Sequence, residues 1–305
     1  MRLLKENTNL DFMAKRVIAA IISTAILVVG IVGYIAMGGL KYGIDFQGGT
    51  IVQVQFTASH PLSELRETLS AGNIGSFTLQ AFGDESANEY LISAAKAESA
   101  NVSEGEGAAQ AIERVLSAKY PDVAMRRVES VGPKVGEELK AKAGEAILFS
   151  ILAILVYIWV RFQWRYGVGA VVALLHDVLI VLAAFLFTGK EITLPVVAAV
   201  LTVAGYSIND TIVIFDRIRE NFLRFKKKKG LDVLNQSINQ TLNRTLLTSG
   251  TTLFVLFSIF LFGGEIINDF AFALLVGVLV GTYSSIFIAS PVLHFLNTKF
   301  PAKTN

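Results

Sequence analysis

Six stretches of this chain, at 17–37, 143–160, 168–187, 192–215, 246–262 and 270–295, are almost wholly apolar. A helix needs about 20 apolar residues to cross the ~30 Å hydrocarbon core of a bilayer. A soluble core built from 305 residues could not hide six such runs. The composition agrees, with 53% apolar residues, 17% charged residues and a mean hydropathy of +0.55. The chain is therefore expected to be an integral membrane protein with six transmembrane helices. The first run is longer than the apolar stretch of a signal peptide and no small-x-small cleavage site follows it, so it reads as an anchor that stays. The lack of cysteine excludes a disulfide scaffold and a thiol enzyme. The net charge of +2 is too small and too confined for a nucleic-acid partner.

That charge is unevenly spread. Residues 38–140 carry a net of −5, and the remainder carries +7. An acidic, polar insert thus interrupts a basic, apolar chain. Arg2, Lys5, Lys15 and Arg16 precede the first span; Arg161, Arg165, the segment 216–245 and Lys299 with Lys303 follow spans two, four and six. All of these fall on one side if the chain crosses six times. The opposite short loops hold only Lys190. The positive-inside rule then puts both termini in the cytoplasm and residues 38–140 outside it.

Within 216–245, Ile218, Phe222 and Phe225 recur at helical spacing before the lysine run 226–229; Leu231, Leu234, Ile238 and Leu242 recur after it. One reading is a basic amphipathic cytoplasmic loop lying on an anionic inner leaflet. The other is a solvated basic hairpin that only fixes topology.

Across the insert the period changes from 3.6 to 2. Strands are expected at 51–56, 76–81, 89–94 and 123–129, with a turn at Gly83-Asp84, helices at 61–71 and 107–119, and a small polar linker before the second helix. The order β-α-β-β-α-β is that of an α+β ferredoxin-like domain. No catalytic constellation or metal-ligand spacing is visible in it; its lone His60 sits beside Pro61 in an expected turn. Such a domain suits docking, and the chain is not expected to be an enzyme.

Ionisable groups inside spans cost ~2.5–3.5 kcal/mol at a helix centre, so each needs a reason. His176 and Asp177 lie in span three. Asp210 lies in span four on a polar stripe with Thr202, Tyr206 and Asn209. Arg244 opens span five, followed by Thr248, Ser249, Thr251 and Thr252. Asp210 precedes Asp216 by six residues, placing it ~9 Å below the inner surface. Two readings stand: a relay in which Asp210 takes up and releases a proton or cation while Arg244 tunes it, or a fixed buried ion pair locking two helices. His176 and Asp177 equally suit support, helix pairing or direct proton handling. Gly277-x-x-x-Gly281 and Gly167-x-Gly169 suggest close helix packing.

Several of these segments are familiar in combination. Gly43-Ile44-Asp45-Phe46-Gln47-Gly48-Gly49-Thr50 resembles the G-x-D-F-x-G-G-T signature of the SecD/SecF protein-export family, within the RND superfamily. Val131-Gly132-Pro133, Ala173-Leu174-Leu175-His176-Asp177, Tyr206-Ser207-Ile208-Asn209-Asp210-Thr211 and Asn243-Arg244-Thr245-Leu246 are similar to the SecF branch of that family. The resemblance runs in order along nearly the whole chain. It implies an RND-like half of six spans that works with SecD on the SecYEG translocon, with YajC a further possible partner. The family uses the proton-motive force to complete export of unfolded preproteins. Asp210 and Arg244 match the charged pair tied to proton flow, with His176, Asp177, Tyr206, Asn209, Thr211 and Thr248 as supporting polar residues. No cofactor or metal is implied; the driver is an H⁺ gradient, with Na⁺ the other carboxylate-compatible ion. The signature glycines Gly43, Gly48 and Gly49 fit a tight entry into the first strand, with Phe46 and Thr50 beside them and Asp45 as a turn or orienting residue. A twelve-span family pump against six spans here implies that this chain alone does not pump.

Overall fold

The computed structural model of the protein describes residues 9–72, 74–75, 77–83, 85–95, 107–225 and 228–300. Arg2, Lys5, Ser76, Asp84, the linker 96–106, Lys226, Lys227 and Lys303 lie outside the described residues. The chain forms two compact units, residues 42–144 and the remainder, a few residues on from the 38–140 suggested by charge.

The polar unit opens with a short helix, α2 (Ile44–Gln47), counting α1 (Arg16–Ala36) as the first helix. There follow β1 (Gly49–Gln55), α3 (Leu62–Ala71), β2 (Phe77–Phe82), β3 (Glu89–Ala95), α4 (Ala108–Lys119) and β4 (Ala124–Val131). The sheet is antiparallel in the order β2-β3-β1-β4, the ferredoxin-like arrangement that the alternation predicts. Period-2 alternation sends Val52, Val54, Ile92 and Ala94 to one face, where they bury against Leu65 and Leu69 of α3 and Ile112 and Leu116 of α4. His60 is part of this packing: its ring lies 5.0 Å from that of Phe56 and 4.6 Å from that of Tyr120.

The apolar unit contains α1, the membrane part of α5 (Pro133–Arg161), α6 (Trp164–Thr188), α7 (Leu194–Arg224), α8 (Gly230–Phe262), α9 (Glu265–Ser284) and α10 (Ser290–Lys299). Among the described residues, six helical stretches are long and apolar enough to cross a membrane, one in each expected place. Their ends follow local chemistry. Gly189 caps α6 in the left-handed region at φ 67°, and Pro195 sits in the first turn of α7, where a missing N–H costs nothing. The sixth span runs α9 into α10 through a widened π turn at Ser285–Ala289. Pro291 lacks the N–H that would bond the carbonyl one turn back, and within the widened turn Ser290 Oγ donates to the Ser285 carbonyl at 3.0 Å.

The segment 216–245 is not a loop. α7 continues to Arg224 and α8 begins at Gly230, so most of it is the ends of two long helices. Ile218, Leu234, Ile238 and Leu242 are buried in the core with Phe162, Tyr166 and Leu293, and Phe222 and Leu231 pack beside them. Asn221 Nδ2 donates to Ser237 Oγ and to Gln240 Oε1, each at 2.9 Å, across the pair. Both sequence readings of this segment are corrected: its apolar stripe faces protein, neither a leaflet nor water. Periodicity reveals a buried stripe and not what buries it.

The N-terminal segment is strapped to this hairpin. Asn239 accepts from Leu10 N–H at 3.0 Å and donates to the Leu10 carbonyl at 2.8 Å. One turn earlier, Asn235 accepts from Met13 N–H at 2.9 Å and donates to Asp11 Oδ1 at 2.6 Å. Met13 itself is buried in the helical core.

Candidate functional site

Asp210 lies mid-helix in α7, 14 residues or ~21 Å from its end at Arg224. It is 3% exposed. Ser249 Oγ of α8 donates to Asp210 Oδ2 at 3.3 Å, and Thr282 Oγ1 of α9 donates to Ser249 Oγ at 2.7 Å. The same Thr282 hydroxyl lies 2.8 Å from the Val278 carbonyl. A threonine has one O–H proton, so it satisfies one of those acceptors at a time. Three helices thus meet at Asp210 through a short line of hydroxyls.

The helices come close because small residues allow it. A Cβ on Gly277 would lie 2.1 Å from Val203 Cγ2, and one on Gly281 would lie 3.0 Å from Ser207 Cβ. The Gly277-x-x-x-Gly281 pair is therefore the contact of α9 with α7 in the very turns that carry Ser207 and Asp210. Gly169 approaches the Ala289 carbonyl and Phe215 at 3.2–3.3 Å, counted from the same hypothetical Cβ.

A second carboxylate sits one turn of α7 away. Asp177 of α6 is fully buried; its Oδ2 accepts from Ser207 Oγ at 2.5 Å and Ser284 Oγ at 2.8 Å. Its Oδ1 is 3.0 Å from His176 Nδ1. The other ring nitrogen of His176 is buried with no hydrogen-bond partner, and the ring stacks on Tyr283 at 6.2 Å. Asp177 thus joins α6, α7 and α9. Ser207, Thr282 and Ser284 were not singled out from sequence. For Thr282 and Ser284 the available signal was hydroxyls spaced along an otherwise apolar sixth span; Ser207 stood only within the Tyr206–Thr211 stretch of the fourth.

Arg244 is not paired with Asp210. It is exposed on α8 and makes no ion pair with a described residue, so the fixed buried ion pair does not form in this structure. Along α7 and α8 run further exposed polar residues, Thr202, Asn209, Thr248 and Thr251, and Tyr206 donates to Thr252 Oγ1 at 3.3 Å between the two helices. Thr248 hydrogen-bonds its own helix, at the Arg244 and Thr245 carbonyls. Thr211 Oγ1, next to Asp210, is buried with no hydrogen-bond partner.

The signature segment forms a backbone knot in the polar unit. Gly43 is extended ahead of α2, which holds Asp45 and the buried Phe46. Gly48 (φ 75°) and Gly49 (φ 153°) then turn the chain into β1. A Cβ on Gly48 would stand 2.9 Å from Pro133 Cα, and one on Gly136 would stand 2.9 Å from the Phe46 carbonyl. Pro133 and Gly136, in the first turn of α5, are thus the surface against which Gly48 folds. Thr50 Oγ1 pairs with Ser130 Oγ of β4 at 2.9 Å.

This architecture is found in known proteins. Residues 111–299 match the family model for protein export membrane protein SecD/SecF, C-terminal, and residues 33–59 match the SecD/SecF GG motif. The chain is 46% identical over 301 residues to the protein translocase subunit SecF of Desulfurispirillum indicum, covering 95% of this chain and 93% of that one. It is 44% identical to the same subunit of Vibrio alginolyticus, covering 95% and 90%. Among solved structures it is similar to SecDF of Thermus thermophilus, a translocon-associated membrane protein, with a TM-score of 0.83 at 32% identity. That match covers 96% of this chain and 39% of the SecDF chain. With its six membrane helices, its RND-like helical unit and its ferredoxin-like insert, the chain belongs to the SecF branch of the SecD/SecF protein-export family.

Proposed function

We propose that this chain is the SecF subunit of a two-part exporter that couples the proton-motive force to late-stage translocation of unfolded preproteins. The observation that carries this reading is Asp210: a carboxylate buried mid-membrane, held by one hydroxyl line, beside an exposed polar strip. In the ionised state Ser249 donates to Asp210 and Thr282 donates to Ser249. When Asp210 takes up a proton, its O–H donates to Ser249, Ser249 turns to Thr282, and Thr282 turns to the Val278 carbonyl. The hydroxyl line stays connected in both states, so a proton can come and go without breaking it. The change is felt in α7, α8 and α9 together.

Polar residues facing hydrocarbon are costly, so the strip around Asn209, Arg244 and Thr248 calls for protein or water against it. SecD is the partner proposed for that face, completing the path that six spans alone do not supply. SecYEG, YajC and the preprotein are the further proposed contacts of the assembly. The chain acts in a bacterial inner membrane with both termini cytoplasmic and the ferredoxin-like unit periplasmic, as a transport subunit rather than an enzyme. It needs no cofactor; the coupling ion is H⁺, with Na⁺ as the alternative.

The test is preprotein export in proteoliposomes holding SecYEG, SecA, SecD and either this chain or its Asp210→Asn variant, with and without an imposed proton gradient. The variant assembles and loses the gradient-dependent part of export. If that part is unchanged, the chain is a structural subunit that stabilises SecD or the translocon. An imposed Na⁺ gradient separates the two ions.

A further inference from the structure

α1 meets the rest of the helical unit along one face, with Ala19 and Ser23 buried and bonded to Tyr283, and leaves another face open. Near its C-terminal end, a Cβ on Gly30 would lie 3.1 Å from Ala183 Cβ, and one on Gly33 would lie 2.8 Å from the Phe187 ring. Toward its N-terminal end a groove of about 820 Å³ opens between α1 and α10. That volume is in the range of small-molecule sites, ~300–1,000 Å³. Arg16, Ala20, Thr24 and Val28 line it from α1, and His294 and Thr298 from α10. The α1 residues recur every four positions along one face. From Arg16 to Val28 they span ~18 Å, against ~15 Å for one leaflet's share of the hydrocarbon.

The groove is apolar along its length and cationic at its mouth. Arg16 supplies the charge there, facing His294 of the other helix, and no carboxylate among the described residues lines the site. One guanidinium nitrogen of Arg16 donates to the Met13 carbonyl at 2.7 Å, and Arg16 makes no ion pair with a described residue. Lys15 and Lys299, both exposed, flank the mouth in sequence. An arginine fork with donors to spare fits the paired oxygens of a phosphate diester. Small Ala20 and Thr24 leave width where an acyl chain would run. We infer that this groove binds one anionic phospholipid, its phosphate on Arg16 and an acyl chain along the α1–α10 seam.

The test is native mass spectrometry of the full chain, detergent-purified and supplied with phosphatidylglycerol or with phosphatidylcholine of the same acyl chains. The expected result is one retained phosphatidylglycerol and little phosphatidylcholine. Arg16→Gln lowers phosphatidylglycerol retention roughly tenfold by removing a charge-assisted contact. Ala20→Phe, at an exposed position, fills the groove and lowers retention while leaving the helix content intact by circular dichroism. Equal retention of both headgroups, absence of any retained lipid, or wild-type retention in both variants overturns the assignment.

Discussion

Asp177 and Asp210 are both buried, yet the protein commits very different numbers of donors to them. Asp177 takes a hydroxyl from each of two other helices and faces an imidazole; Asp210 takes one long hydrogen bond. The first arrangement fixes and the second permits change. Asp177→Ala should therefore act on stability, leaving buried donors unmade at roughly 1–3 kcal/mol each; a lowered thermal midpoint of the purified chain checks it. Thr282→Val keeps the shape but removes the far end of the hydroxyl line. It should reduce gradient-driven export while leaving the thermal midpoint within a few degrees, a separation that Asp177→Ala should not show. At the loop between α6 and α7, burial raises the Glu191 carboxyl above its ordinary 4.5, with repulsion from Asp269 adding to it. A raised acid stabilises the fold below its unfolded pKa, and that contribution is lost as pH rises through the folded value. Glu191→Gln should flatten this dependence and match or exceed the parent's thermal midpoint at neutral pH, measured across about pH 4–8.

At the scale of elements, apolar run length and period carried most of the architecture. All six spans and the four strands of the ferredoxin-like unit stand where 3.6 and 2 periodicity put them. The burial of Asp210 was legible because a carboxylate in an apolar run needs a reason, and the signature glycines stood out through the family resemblance. The continuation of α7 and α8 beyond the apolar runs was not. A helix stripe buried by protein and one buried by lipid have the same sequence pattern. The exposure of Arg244 was equally hidden, since helical spacing gives a face and not a rotamer. Close approaches make the sharpest test here. Gly277→Leu would drive a side chain into Val203, where even a Cβ stands 2.1 Å away. Overpacking of this kind costs typically ~1–3 kcal/mol, and it should separate α9 from α7 and disturb both carboxylate sites together. Disulfide trapping between cysteines placed on α7 and α9 would report the lost contact.

The molecule as a whole presents a mid-membrane polar strip on one flank of its helical unit. The protein has no native cysteine, so single cysteines at Asn209 and Thr248 give clean probes of that flank. Both should react with a small maleimide when the chain is alone and become shielded when SecD is co-reconstituted; unchanged labelling would move the partner to another face. The strap that binds the N-terminal segment to α8 has a consequence for how the protein is made. Leu10 and Met13 must wait for partners 229 and 222 residues further along the chain. At 5–20 residues per second, translation alone delays Asn235 by roughly 10–45 s. During that interval the first helix can enter the bilayer, but its leading residues have nowhere to dock. Seating of the strap is thus a late step of biogenesis, a seal set only after the fifth helix has begun to emerge from the ribosome.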